Sequence, residues 1–182
     1  MSTVHALFTA TAARTPQADF LFTDAVTASV YGIEPGPISW ARAAARVEPL
    51  RLAYAAAGYG HGHRVGLLLE NRPAFLLHWF ALNALGVSVV PIHADLRAAE
   101  LRYLIEHSEI VLAVTLPAHA SALQNAAVEV RSDMATWVID SDALPRAARA
   151  APRRSAARRL AKTANALCST RRAPPGGPRA AS

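Results

Sequence analysis

The sequence has no acidic residue after Asp142. All thirteen acidic side chains lie between Asp19 and Asp142, and residues 1–142 also contain nine arginines, which gives this part of the chain a net charge of −4. The last forty residues hold the other ten basic side chains. The overall charge of +6 therefore belongs to residues 143–182, and it does not indicate a nucleic-acid-binding domain in residues 1–142.

Cysteine and long apolar runs are also scarce. Cys168 is the only cysteine, which excludes an internal disulfide and fits a reducing compartment. The N-terminus lacks the charged region and apolar run of a secretory signal. The most apolar segment, FLLHWFALNALGVSVVPI, is interrupted by His78 and Asn83 and falls short of the roughly 18 apolar residues of a membrane span. We therefore predict a cytoplasmic protein without a membrane span.

Residues 1–142 show the pattern of an α/β domain. Short apolar runs alternate with segments of helical periodicity: the predicted strands are 65–70, 87–92, 110–116 and 136–140, and the predicted helices are 73–85, 97–108 and 117–127. This alternation predicts βαβ units and a partial doubly wound parallel sheet with helices on both faces.

The remaining segments are less regular. Before residue 65 we predict a helix over 3–14, strands over 20–24 and 27–31, and a turn at EPGP. A helix follows over 38–58, and Pro49 should kink or divide it. Residues 143–182 have no period and few large aliphatic side chains, so we predict a disordered Arg/Ala/Pro-rich tail.

Two residues are candidates for ligand contact. His93 and Asp95 follow the second predicted strand at its carboxyl end, the edge where open parallel sheets bind ligands. His61 and His63 lie in a glycine-rich turn without a cysteine or carboxylate nearby, so we interpret them as loop histidines and predict no metal site.

No catalytic constellation is found in frame. The chain contains neither G-x-G-x-x-G after the first strand nor G-x-S-x-G, so neither a dinucleotide site nor an esterase nucleophile is indicated. His78 is predicted to be a partly buried structural histidine. The spacing of Glu100, Glu106 and Glu109 is typical of a solvated helix face and its end.

The order of the segments resembles that of AMP-forming acyl-CoA synthetases, members of the adenylate-forming AMP-dependent synthetase and ligase family. TVHALFTATAARTPQADFLF is similar to the family's opening, and ISWARAAARV to its L-T-Y-x-E-L helix start, with Trp40 replacing tyrosine. YGHGHRVGLLLENRPAFLLHWFALNALGVSVVPI resembles the segment that begins G-x-x-x-G-D-R-V in the family, with His63 replacing aspartate. ADLRAAELRYLIEHSEIVLAV resembles the helix and strand that follow, so the resemblance covers about residues 3–140.

The resemblance implies a two-step reaction. A carboxylic acid and ATP give an acyl-adenylate and pyrophosphate, and coenzyme A then displaces AMP. The intact enzyme would use ATP, Mg²⁺ and coenzyme A, with a carboxylic acid as substrate. Its triphosphate loop, T-S-G-T-T-G-x-P-K-G, would be expected where this chain has its tail. We therefore expect this N-terminal fragment to bind none of these cofactors and to be inactive alone.

The tail admits that loop when its codons are read one base earlier. An amino acid largely determines the first two bases of its codon. When the last base of the preceding codon is placed before these two bases, the shifted codons of Ser169 to Ala180 are compatible with F-N-T-S-G-T-T-G-R-P-K-G. We interpret residues 143–182 as the product of a one-base frameshift. The alternative is a non-catalytic α/β module whose basic tail binds nucleic acid or another polyanion. A tail without aromatic residues and without a folded recognition element predicts no specific nucleic-acid partner.

Overall fold

The computed structural model describes residues 3–139. In chain order the elements are α1 (Val4–Arg14), β1 (Asp19–Thr23), α2 (Ala25–Tyr31), β2 (Gly36–Ser39), α3 (Trp40–Ala56), β3 (Arg64–Leu68), α4 (Pro73–Ala84), β4 (Ser88–Pro91), α5 (Ala98–Ser108), β5 (Leu112–Thr115), α6 (Pro117–Glu129) and β6 (Ala135–Val138). The predicted domain boundary at Asp142, the tail and the end of the last predicted strand lie outside the described residues.

The sheet is parallel and has the order β4-β3-β5-β6. β3 is central, with Leu67 opposite Pro91 on one side and Val114 on the other. The chain therefore moves outward from β3 to β4, returns past β3 to β5, and continues to β6. This reversal is a topological switch point between β3 and β5.

Helices cover both faces of the sheet. Alternate residues of the central strands point to opposite sides, because side chains in a strand alternate. Val65, Leu67 and Val114 pack in the larger core cluster with α1, α3 and α4. Leu68 and Ala113 pack in a second cluster with α5 and α6. The predicted doubly wound α/β fold is confirmed for residues 3–139.

One predicted strand is wrong. Residues 27–31 belong to helix α2, although valine and tyrosine favour strands. Asp24 accepts hydrogen bonds from the backbone N–H groups of Val26 and Thr27, and Gly32 ends the helix in the left-handed conformation at φ +61°. These two caps supply partners for the free ends of a short helix and outweigh the strand preference.

Two details near α3 also differ from the prediction. Residues 36–39, which include the second half of the predicted turn and the first two residues of the predicted helix, form β2 and pair antiparallel with β1. Pro49 does not divide α3, which is continuous from Trp40 to Ala56, and the alternative of a kink at Pro49 stays a prediction. The carbonyl that Pro49 leaves without a partner belongs to Ala45, and Ala45 is exposed, so water can hydrate that group.

Candidate functional site

A cleft of about 550 Å³ lies at the carboxyl ends of β3 and β4, beside the end of α2. Its lining combines aromatic rings, carboxylates, an amide and an imidazole: Tyr31, Glu70, Asn71, Phe75, Pro91, Ile92, His93, Ala94 and Asp95. Doubly wound sheets bind ligands outside the carboxyl ends of their strands, and Glu70, which follows β3, also borders the switch point between β3 and β5. This cleft is therefore the candidate site.

His93 and Asp95 lie on the rim of this cleft. Their side chains are 76% and 90% exposed, and His93 Nδ1 lies 3.6 Å from Asp95 Oδ2. The Asp95 backbone N–H donates to His93 Nδ1 at 3.3 Å, which leaves Nε2 directed elsewhere. Such an exposed pair adds little stability, so both side chains are available to contact a ligand.

Glu70 lines the cleft and is held from two sides. Its Oε1 lies 2.9 Å from His119 Nε2, and its Oε2 accepts from Arg72 Nε at 3.2 Å. The hydrogen bond from His119 and the contact with Arg72 hold the pKa of the Glu70 carboxyl below its usual range, although partial burial opposes them. The result is an ionised carboxylate fixed at one wall of the cleft.

The backbone at Glu70 is left-handed, with φ +56°. A non-glycine residue in this region needs support from its surroundings. Glu70 follows β3 and His119 lies in the first turn of α6 after β5, so their hydrogen bond bridges the switch point. Sequence reasoning missed this pair, because the adjacency of β3 and β5 is visible only once the strand order is known.

Arg72 connects the cleft to α2. Its guanidinium carbon lies 5.4 Å from the centre of the Tyr31 ring, a cation–π distance, while Nε donates to Glu70. The guanidinium is thus already engaged by a carboxylate and a ring. Glu70 is engaged by the same contact, so Asp95 on the rim is the carboxylate of the cleft that remains exposed.

His78 is a structural residue, as the sequence predicts, but is more deeply buried than expected. It is 2% exposed, and its Nδ1 lies 2.6 Å from the Tyr54 hydroxyl. Burial lowers the pKa of His78 to about 4 and raises the pKa of Tyr54. Both groups are therefore neutral near pH 7, and the Tyr54 hydroxyl and His78 Nδ1 share one buried hydrogen bond.

The two loop histidines occupy different environments. His63 is 8% exposed, and its Nδ1 accepts from the Gly60 N–H at 3.1 Å, whereas His61 is exposed. Within residues 3–139, no three histidine, cysteine, aspartate or glutamate side chains are arranged to hold a metal ion. No helix in the same range is long and apolar enough to cross a membrane.

Two of the predicted solvated glutamates have specific partners. Glu100 accepts from the Arg97 backbone N–H at 2.8 Å and so caps the start of α5. Glu109 pairs with Arg64 in a surface ion pair at the end of the same helix. Both remain exposed, as the spacing predicts.

Comparison with known proteins identifies the family. The family model that matches the sequence is described as AMP-binding enzyme, and it matches residues 8–175. The chain therefore belongs to the AMP-binding enzyme family, which confirms the resemblance seen in the sequence. The matched range extends past Asp142, and the boundary predicted there stays a prediction.

Curated relatives match a shorter segment. Crotonobetaine/carnitine–CoA ligases of Salmonella paratyphi B and Salmonella typhi are 40% identical to this chain over 58 residues. That segment is 32% of this chain and 11% of each relative. The match thus spans about a tenth of the length of those ligases.

Solved structures share the fold. VinN superposes with a TM-score of 0.64 at 20% identity, covering 76% of this chain and 32% of its own. A putative long-chain-fatty-acid CoA ligase from Rhodopseudomonas palustris gives 0.64 at 18% identity, covering 80% and 34%. The fatty acyl CoA synthetase of Mycobacterium tuberculosis gives 0.60 at 18%, covering 76% and 26%. The chain corresponds to about a third or less of each.

Proposed function

We propose that this chain is the N-terminal part of an ATP-dependent carboxylic acid–CoA ligase and is inactive alone. The observation that carries the proposal is the family match over residues 8–175. The CoA ligases among its relatives support the reaction class, acid plus ATP to acyl-adenylate and then to acyl-CoA. We further propose that it acts in the cytoplasm, because a single cysteine fits a reducing compartment.

The described residues do not fit a nucleoside triphosphate. Binding a triphosphate requires backbone N–H groups around the phosphate oxygens and added positive charge. Arg72 is already paired with Glu70, the exposed charge on the cleft rim is the carboxylate of Asp95, and residues 3–139 contain no lysine. We therefore derive no step of ATP chemistry from these residues, and we assign ATP, Mg²⁺ and coenzyme A to the intact enzyme.

We propose in addition that residues 143–182 are translated out of frame. The support is the compatibility of Ser169 to Ala180 with F-N-T-S-G-T-T-G-R-P-K-G one base over. In this proposal the gene encodes the phosphate loop and everything after it, and the polypeptide does not.

A direct assay tests the ligase proposal. The 182-residue chain and the product of a frame-restored gene are each incubated with ATP, Mg²⁺, coenzyme A and a panel of carboxylic acids. We expect acid-dependent pyrophosphate release and thioester formation only from the restored protein. The restored protein with its loop lysine changed to alanine is the matched control for contaminating ligases. Acyl-CoA formation by the 182-residue chain would overturn the proposed inactivity.

We also propose that His93 and Asp95 contact a substrate of the intact ligase at the rim of the cleft. In the frame-restored enzyme, His93→Ala and Asp95→Asn should raise the KM of one substrate while kcat changes less. Glu106→Gln, an exposed carboxylate on α5, is the control. Unchanged KM values for acid, ATP and coenzyme A in both variants would remove these residues from the site.

The second candidate function is a non-catalytic module that binds a polyanion. It is favoured by the ten basic and no acidic side chains of residues 143–182. Counterion release would make such binding fall steeply with salt. Salt-sensitive DNA binding that disappears when residues 143–182 are deleted would support this function. If a variant with a scrambled sequence over residues 143–182 binds DNA equally well, the binding is nonspecific electrostatic attraction.

A further inference from the structure

Within the part of the chain that the structure describes, the outer side of β6 is an open strand edge. Backbone groups of successive residues in a parallel strand point to opposite sides. Ala135 and Ile139 donate their N–H groups to Val111 and Thr115 of the β5 segment, so Thr136 and Val138 direct theirs away from it. Within residues 3–139, no strand pairs with that outer side, because β6 ends the sheet order.

The opposite edge of the sheet is closed by a proline. Ser88 and Ile92 donate to the carbonyls of His63 and Leu67, so Val89 and Pro91 face outward on β4. Pro91 has no N–H to offer an added strand. Proline on an edge strand is one of the devices that prevent strand addition.

β6 has none of these devices. Residues Ala135–Val138 include no charge, no proline and no glycine, and Val138 is 45% exposed. An uncharged strand with a free row of N–H and C=O groups is a template for another strand. The β4 edge thus has an outward-facing proline that hinders strand addition, whereas the β6 edge has neither a proline nor a charge.

We propose that β6 is an interaction surface whose partner is the β6 strand of a second copy of this chain. A two-fold axis brings identical edges together antiparallel, so that the outward groups of Thr136 and Val138 in each copy face those of the other. Two copies of Ala135–Val138 can pair without repulsion, because the segment is uncharged and places no like charges opposite each other. A strongly charged partner strand would find no countercharge on this edge.

Sedimentation equilibrium of the full 182-residue chain at several concentrations tests the proposal. High salt screens repulsion between the two basic tails. We expect a concentration-dependent dimer, and in Val138→Pro a dissociation constant at least about tenfold higher. The proline removes only an outward N–H, so the pairing of β5 with β6 is retained. Val138→Lys should act alike through charge repulsion, and Val128→Lys, an exposed valine on α6, should leave the dimer unchanged.

Circular dichroism checks that each variant is folded. Amide hydrogen exchange of the unmodified chain is a second test, which does not depend on whether a variant folds. The amide hydrogens of Thr136 and Val138 should exchange more slowly at high than at low protein concentration, while exposed amides elsewhere do not change. A monomer at every concentration would overturn the proposal. So would dimerisation of folded Val138→Pro equal to that of the unmodified chain, or Thr136 and Val138 exchange that is independent of concentration.

Discussion

The hydroxyl oxygen of Tyr54 lies 2.6 Å from Nδ1 of His78, and this buried hydrogen bond joins α3 to α4. The Tyr54 ring also stacks on Trp137 of β6 with centroids 4.9 Å apart. One side chain therefore connects two helices and a strand on the same face of the sheet. Its hydroxyl is the hydrogen-bond partner of His78, whose neutral state results from burial.

Two buried tyrosines should respond oppositely to loss of the hydroxyl. Tyr54→Phe leaves the His78 imidazole buried without its partner, and we expect the free energy of unfolding to fall by about 1–3 kcal/mol. The Tyr59 hydroxyl is buried without a hydrogen-bond partner, so Tyr59→Phe should be neutral or stabilising. Urea denaturation of both variants measures the difference, and equal losses would contradict the assigned pairing.

Acid should destabilise the fold through His78. The pKa of His78 is about 4 in the folded chain, below its ordinary value of 6.5, so the unfolded chain binds the proton more readily. The contribution of neutral His78 to the free energy of unfolding is complete above pH 6.5 and is lost as the pH falls toward 4. The loss between pH 7 and pH 5 is about 2 kcal/mol. Unfolding free energies across this range measure it. A histidine signal that titrates near 6.5 in the folded chain, assigned to His78, would contradict the expectation.

The hydrogen bond across the switch point should be visible in the titration of Glu70. His119 is the largest cause that holds the pKa of this carboxyl below its usual range. In His119→Leu the Glu70 pKa should rise, as measured by NMR of the side-chain carboxyl carbon. Glu106, on α5, provides an internal reference for the same spectra. An unshifted Glu70 titration would show that Arg72 alone holds the carboxylate.

Gly32 should be required at the end of α2. Its φ of +61° is left-handed, so Gly32→Ala should lower the free energy of unfolding by about 1 kcal/mol. Gly60→Ala is the matched control, because a Cβ at that position meets its nearest atom at 3.8 Å and its φ is not left-handed. Chemical denaturation should rank the two variants in that order, and a costlier change at Gly60 would contradict the capping role.

The sheet and its helices could be predicted because their pattern is local. Each buried strand is a short apolar run, and each helix shows its period directly, so β3 to β6 and α4 to α6 fall where the sequence places them. α2 could not be predicted in this way, because its valines favour a strand while the Asp24 cap favours a helix. Whether the segment is a strand or a helix depends on the difference between these two contributions. β2 depends on pairing with β1, a contact between distant positions.

The candidate site could be predicted only in part. His93 and Asp95 follow a recognisable strand, and the structure places them on the cleft rim. Glu70 and His119 are 49 residues apart in sequence, and no pattern in the chain pairs them. Their proximity follows from the order β4-β3-β5-β6, which sequence periodicity does not determine.

The central claim is that the gene specifies a longer acid–CoA ligase than this polypeptide contains. Determining the nucleotide sequence from the codon of Asp142 onward tests it most directly. We predict that the frame one base earlier encodes F-N-T-S-G-T-T-G-R-P-K-G opposite Ser169 to Ala180 and then stays open for several hundred codons. A stop codon soon after this point in that frame, or codons that spell a different sequence there, would contradict the claim.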